Sequence, residues 1–241
     1  MSISKNELRQ VRALSQKKFR DETGLFVVEG EKMVSEALAS DFEVVSIYRR
    51  DDIGEEAMGR LSSLSSPSPV LAVVRQPAPR AFRPERGLYL ALDGIRDPGN
   101  LGTILRVADW FGVDGVIASP DTVELYNPKV VQATMGAIFR VPFHRLDIPA
   151  FCRSVTAAGG HVYGTFLDGE NIYQKALDCG ADAPSVIVIG NESNGISRET
   201  AACVSDRLFI PPYPADDPGS ESLNAAVATA VTVAEFRRRV F

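Results

Sequence analysis

Histidine, cysteine and tryptophan are scarce in this chain of 241 residues, numbering two, three and one. His144 and His161 stand apart from each other and have no cysteine close by in sequence. Cys152, Cys179 and Cys203 form no CxxC pair, and an odd count does not build a disulfide framework. Neither a zinc site nor a disulfide scaffold is expected. No apolar run approaches the roughly 18 residues that span a bilayer. The opening MSISKNELRQ lacks the apolar core of a secretory signal. The expectation is a cytoplasmic protein with no membrane and no metal among its partners.

Two familiar ligand loops are also missing. Gly94 and Gly99 have the G-x-x-x-x-G spacing of a P-loop, but Asn100 and Leu101 stand where Lys and Ser/Thr belong. A γ-phosphate would lack its main charge partner there. No G-x-G-x-x-G occurs, so an ordinary dinucleotide loop is not supported either.

What is present is ordinary globular composition, with 45% hydrophobic and 24% charged residues. The net charge of -5 is not that of a strong nucleic-acid binder, but its distribution is uneven. Lys5, Arg9, Arg12, Lys17, Lys18 and Arg20 against Glu7 give the first 20 residues +5 (six minus one), so the other 221 carry -10. A basic segment on an acidic body can dock a phosphate backbone, and it can equally be a solvated helix face.

Hydrophobic periodicity predicts a helix over 4–19, a strand at 25–30, a helix over 31–40 and a strand at 42–48. The stretch 75–87, RQPAPRAFRPERG, carries three prolines and four arginines, and regular structure should stop there. Beyond it, strands at 88–93, 115–119, 140–144, 161–166, 185–190 and 207–211 alternate with helices over 100–112, 127–139, 149–158 and 223–239. Such alternation implies an α/β fold, a parallel sheet with helices on both faces. The expected organisation is a small α/β domain over 1–76, a linker over 77–87 and a larger domain over 88–241.

In sheets of this kind, ligands sit beyond the carboxyl ends of the strands. Three loops following strands are rich in Gly, Asn and acidic residues: DGIRDPGN, GNESNG and PPYPADDPGSES. On the helix after the first, Leu101, Ile104, Leu105 and Ala108 share a face, and Arg106 projects roughly 140° from Leu101. Asn100 is placed to cap the first turn. Trp110 also points away from the apolar face, which suggests a partner surface.

LDGIRDPGNLGTILRVADWFG, VIVIGNESNGIS and IPPYPADDPGSESLNAAVATAV, in this order and spacing, resemble the three signatures of the SpoU (TrmH-like) family of RNA ribose methyltransferases, within the SPOUT superfamily. The resemblance covers about residues 88–241, and LFVVEGEKMVSEAL resembles the family's N-terminal substrate-binding domain less specifically. It departs from the family at Pro211–Glu221, a longer stretch, richer in Pro and Asp, than the usual glycine-serine loop.

The resemblance implies an S-adenosylmethionine-dependent enzyme that methylates a ribose 2′-hydroxyl of RNA, ribosomal in preference to transfer RNA. A non-catalytic RNA-binding or ribosome-assembly protein on the same scaffold is the alternative from another class. It further implies an L30e-like N-terminal domain, a C-terminal trefoil knot and a homodimer. Arg106, Asn100, Glu192, Ser222 and Asn224 would form the catalytic cluster, and Gly190, Ile210, Leu223 and Thr165 the cofactor pocket. Arginine is a poor general base because it stays protonated. Arg106 would then either stabilise a developing alkoxide or be held by an RNA phosphate that assists the proton's departure. Ser222 would cap the last helix.

Overall fold

The computed structural model describes residues 3–79, 81–214 and 221–240. The chain forms two compact units, Met1–Pro79 with Glu124–Arg140, and Arg80–Val123 with Val141–Phe241.

In the first unit, β1 (Leu25–Glu29), β2 (Val44–Arg49) and β3 (Val70–Arg75) make an antiparallel sheet in the order β1-β3-β2. The sequence reading did not anticipate β3, which is the central strand. The helix expected over 4–19 is two helices, α1 (Lys5–Ala13) and α2 (Lys17–Thr23), because Arg20 captures the joint between them. Its guanidinium donates to the carbonyls of Leu14 and Ser15 at 2.8 and 2.9 Å and pairs with the Glu124 carboxylate. Lys17 and Lys18 pair with Asp21 and Glu22, so half of the N-terminal cations are spent internally.

The unit also holds α3 (Glu31–Leu38), α4 (Arg50–Ile53) and α5 (Glu55–Leu61). Its core includes Leu8, Val11, Leu14, Tyr48, Met58, Leu61, Leu71 and Val73. The segment Glu124–Arg140 contributes Tyr126 and Phe139, which pack on Phe26, with Phe42 edge-on to Phe139.

Breaking the Arg20–Glu124 pair leaves a carboxylate and two carbonyls without their partner. Arg20 is 2% exposed. The Arg20→Ala variant is expected to lose about 3 kcal/mol of stability in denaturant titration. A loss below about 1 kcal/mol, the range of an exposed pair, would contradict this.

The second unit is built on six parallel strands in the order β6-β5-β4-β8-β7-β9. These are β4 (Gly87–Asp93), β5 (Gly115–Ala118), β6 (Phe143–Arg145), β7 (His161–Asn171), β8 (Pro184–Gly190) and β9 (Asp206–Phe209). The near-continuous apolar runs of β4, β5 and β8 are what two covered faces require. β7 pairs with β9 twice, Thr165 and then Glu170 both standing opposite Leu208.

The helices are α6 (Pro98–Trp110), α7 (Pro128–Thr134, part of the first unit), α8 (Ile148–Ala157), α9 (Arg198–Ala201) and α10 (Ala225–Arg238). The helix expected over 127–139 ends at Thr134, because Met135 and Gly136 turn left-handed before a short 3-10 turn. α8 covers one face of the sheet, with Ile148, Phe151, Cys152 and Val155 against Tyr89, Ala91, Ile117, Val162, Val186 and Val188. Leu88, Leu90 and Leu92 alternate to the other face. There Tyr163 packs edge-on against Phe236 of α10, ring centroids 4.9 Å apart.

α6 forms despite Gly99 and Gly102, each costing about 1 kcal/mol in a helix. Leu101, Ile104 and Leu105 are wholly buried. Each contributes about 1.5–3 kcal/mol, so tertiary packing outweighs propensity.

Candidate functional site

Chain order along the second sheet reverses between β4 and β8. From β4 the chain steps outward to β5 and β6, and from β8 it passes beyond β7 to β9. A crevice opens beyond the carboxyl ends at such a reversal. Residues 94–97 follow β4 there, and 191–197 follow β8.

Hydrogen bonds stitch these loops together. The Asn191 amide donates to the Gly94 carbonyl at 2.6 Å, and the Ser197 N–H donates to the Asp93 carboxylate at 2.7 Å. Asn191 also accepts from the N–H groups of Ser193 and Asn194, closing the turn that presents Glu192. Gly190 makes that turn feasible. A Cβ on it would lie 2.3 Å from the Gly195 carbonyl carbon and from the Ile196 nitrogen.

Asn100 occupies the centre. Its amide donates to Glu192 Oε1 at 2.8 Å, and its Oδ1 accepts from the Asn224 amide at 2.9 Å. Glu192 Oε2 lies 3.5 Å from the Arg96 N–H. Asn224 Oδ1 accepts from the N–H groups of Ala226 and Val227 at the start of α10. Residues 100, 192 and 224, from three separate segments, thus form one hydrogen-bonded chain.

Two capping expectations are corrected. Asp97, whose carboxylate accepts the Asn100 N–H at 2.8 Å, caps α6 in place of Asn100. Asn224 caps α10 in place of Ser222. In both helices the residue that begins the turn has the extended backbone a cap needs, and the side chain of Asn100 is spent elsewhere. Ser222 is exposed, and among the described residues its hydroxyl has no hydrogen bond. Of the unusual stretch Pro211–Glu221, residues 215–220 lie outside the described residues.

Arg106 is exposed two helical turns along α6 from Asn100. Among the described residues its guanidinium has no hydrogen bond or ion pair. Trp110, one turn further, is 85% exposed.

Gly190 ends β8 and Ile210 directly follows β9, whereas Thr165 lies inside the long β7, one residue past its last pairing with β8 at Gly164. All three are half-buried, and the Thr165 hydroxyl donates to the Val188 carbonyl at 3.3 Å. Leu223 leaves 49% of its surface open.

No histidine or reactive thiol stands among these residues. His161 begins β7, at the opposite end from its carboxyl terminus. His144 stacks on Phe82 at 4.3 Å, and burial lowers its pKa. Burial pushes the Cys152 thiol up to about 12. Among the described residues, no group of three or more His, Cys, Asp or Glu is placed to hold a metal ion. Sequence reasoning missed Asn191 and Asp97 in this site. Asn191 adjoins the predicted Glu192, and Asp97 stands three residues before Asn100, the spacing of a cap.

Known proteins are similar to this chain in sequence and fold. The model of the SpoU rRNA Methylase family matches residues 87–234, and that of the MRM3-like substrate binding domain matches residues 5–76. The 23S rRNA (guanosine(2553)-2′-O)-methyltransferase RlmP of Bacillus subtilis is 30% identical, covering 98% of this chain and 98% of its own. A TrmH-family structure from Porphyromonas gingivalis superposes with a TM-score of 0.89 at 36% identity, over 99% of this chain and 100% of that one. An AdoMet-bound rRNA methyltransferase from Sinorhizobium meliloti does so at 0.86 and 30% identity, over 100% and 98%. With a family match across more than half its length and a relative aligned nearly end to end, the chain belongs to the SpoU rRNA methylase family.

Proposed function

We propose that this protein transfers a methyl group from S-adenosylmethionine to a ribose 2′-hydroxyl of ribosomal RNA. The observation that carries the reading is the hydrogen-bonded chain Asn224–Asn100–Glu192, which joins the three signature segments at the crevice. RlmP and the Sinorhizobium enzyme, both named for rRNA, support ribosomal RNA as the substrate.

The residues fit the cofactor. A purine needs apolar cover and a few polar groups. Leu223 offers open aliphatic surface and Ile210 a half-buried one, and the Thr165 hydroxyl and the main chain at Gly190 are the polar groups assigned to the same pocket. When bound, S-adenosylmethionine supplies an electrophilic methyl on a sulfonium.

The chain's own residues bind, orient and stabilise. Arg106 is permanently cationic and would stabilise the ribose oxygen as its proton passes to an RNA phosphate or to solvent water and the oxygen takes the methyl from the sulfonium. A unit charge pair at 4 Å is worth about 4 kcal/mol at an effective dielectric near 20, which favours the alkoxide. Glu192 has both oxygens engaged and acts as a positioning group for Asn100. An amide has two donors and two acceptor sites, so Asn100 keeps one of each for the substrate. Asn224, the cap of the last helix, completes the cluster, and the exposed Ser222 two residues before it stands free to meet the substrate.

The same proposal includes an L30e-like RNA-binding domain over 1–76, a linker over 77–87, a methyltransferase domain over 88–241 with a C-terminal trefoil knot, and a cytoplasmic setting with the ribosome's RNA. It also includes a homodimer, supported by the exposed Trp110 and by Val227, which is 49% exposed on α10. Val227→Asp is expected to raise the monomer fraction in sedimentation velocity, because it places a charge in an apolar contact. An unchanged dimer would move the interface elsewhere.

Calorimetry with S-adenosylmethionine, followed by single-turnover transfer to a 23S rRNA transcript and to tRNA, tests the activity. Binding followed by labelling of the 23S transcript is the expected result. Labelling of tRNA alone overturns the ribosomal assignment, and binding of RNA without transfer to it overturns the enzymatic one.

A further inference from the structure

The segments around Asn100 carry several carboxylates, and each is engaged by the chain itself. Asp93 accepts the Ser197 N–H at 2.7 Å, and Asp97 the Asn100 N–H at 2.8 Å. Asp121 accepts the Ser119 hydroxyl at 2.6 Å, while Ser119 in turn accepts the Gly94 N–H. Glu192 holds Asn100. Two arginines of the same region, Arg96 in the loop after β4 and Arg106 on α6, are in the opposite condition. Arg96 and Arg106 are both exposed, and among the described residues neither guanidinium has a hydrogen bond or an ion pair.

An RNA strand approaching Asn100 brings its own negative charge toward these acidic segments. Each like-charged contact at 4 Å costs about 1–4 kcal/mol, depending on how far water is excluded. Exposed cations of the same region are what offset that repulsion. Arg106 is already assigned to the ribose oxygen, which leaves Arg96.

The backbone at Arg96 is held on both sides. Ile95 before it is wholly buried, and Asp97 after it caps α6. Its own N–H lies 3.5 Å from Glu192 Oε2, on the carboxylate whose other oxygen fixes Asn100. The side chain is thus anchored at its base, next to the cluster, and free at its tip. A guanidinium in that condition suits a phosphate, which it can meet with two parallel N–H donors.

We propose that Arg96 is a substrate-contacting residue that binds the phosphodiester flanking the target ribose and so sets the register of the RNA strand over Asn100 and Arg106. This rests on the methyltransferase reading above. Its test is equilibrium binding of a 23S rRNA transcript across a salt series, which needs no methyl transfer.

Arg96→Ala is expected to weaken binding about tenfold at low salt. It should also make the plot of log K against log salt shallower by about 0.7–0.9, the share of one phosphate contact. Arg96→Lys should keep the wild-type slope, since the charge remains. In methylation assays KM for RNA should rise more than kcat falls, with S-adenosylmethionine affinity unchanged. Equal slopes for wild type and Arg96→Ala overturn the proposal, as does an Arg96→Lys variant that behaves like alanine or a wild type whose RNA binding ignores salt. A chain that binds RNA with the expected slopes yet transfers no methyl group overturns the activity and leaves the Arg96 contact standing.

Discussion

Arg106→Ala is expected to slow single-turnover methyl transfer by about 10²–10³-fold, the cost of losing one preorganised electrostatic group at a developing oxyanion. The folded protein should hardly notice the change. Arg106 is exposed and unpaired among the described residues, so the variant's unfolding free energy should stay within about 0.5 kcal/mol of wild type. Loss of rate without loss of stability separates a reacting role from a structural one. Arg106→Lys keeps the charge but not the planar fork, and should recover part of the rate. Rapid-quench transfer and a denaturant titration on the same preparations check both halves. A rate for Arg106→Ala within about threefold of wild type would remove this residue from the mechanism.

A second large effect is expected from Asn100→Asp, which preserves shape and changes one donor into an acceptor. The oxygen that replaces the amide nitrogen faces Glu192 Oε1 across a 2.8 Å contact. Two carboxylates at that distance cannot both stay ionised, and one pKa must rise. At neutral pH and above, the first turn of α6 and the loop carrying residue 192 should be pushed apart. Displacement of about 1 Å at a reacting site costs on the order of 10²-fold in rate.

The sign with pH follows from the direction of the shift. The folded variant holds a proton more tightly than its unfolded chain, so its stability relative to wild type rises as pH falls. The deficit is fullest above the raised pKa. The ratio of variant to wild-type rate should rise in the same direction, because a shared proton restores an O–H···O bond. A ratio that is flat with pH would show that the contact between residues 100 and 192 does not hold the site together.

Much of the second unit was legible because its signals are local. β4, β5 and β8 are short apolar runs bounded by turns, and α6 carries its apolar stripe at helical spacing. The exposure of Arg106 and Trp110 followed from the same geometry. β3 was not legible. Its run VLAVVR is buried at all but its last position, between a Ser- and Pro-rich stretch and a Pro-rich one, and its place is set by pairing with β1 and β2.

The break between α1 and α2 was hidden for a similar reason. It depends on Arg20 reaching back to two carbonyls and across to a residue 104 positions away. Nor could any local pattern assign Glu124–Arg140 to the first unit, since the rings that hold it there come from Phe26 and Phe42. At the site, motif order predicted which segments would meet, and the chemistry of the meeting was less visible. Asn and Asp can both cap a helix and both bond across a crevice. The sequence does not say that Asp97 caps α6 and thereby frees the Asn100 amide for Glu192 and Asn224.

The most direct measurement is nucleoside analysis of a 23S rRNA transcript after incubation with the protein and methyl-labelled S-adenosylmethionine. All label should be recovered in 2′-O-methylated nucleosides, and Arg106→Ala should remove it. Label found on a base, or in ribose at equal yield from the alanine variant, would contradict an arginine-assisted transfer to the ribose oxygen.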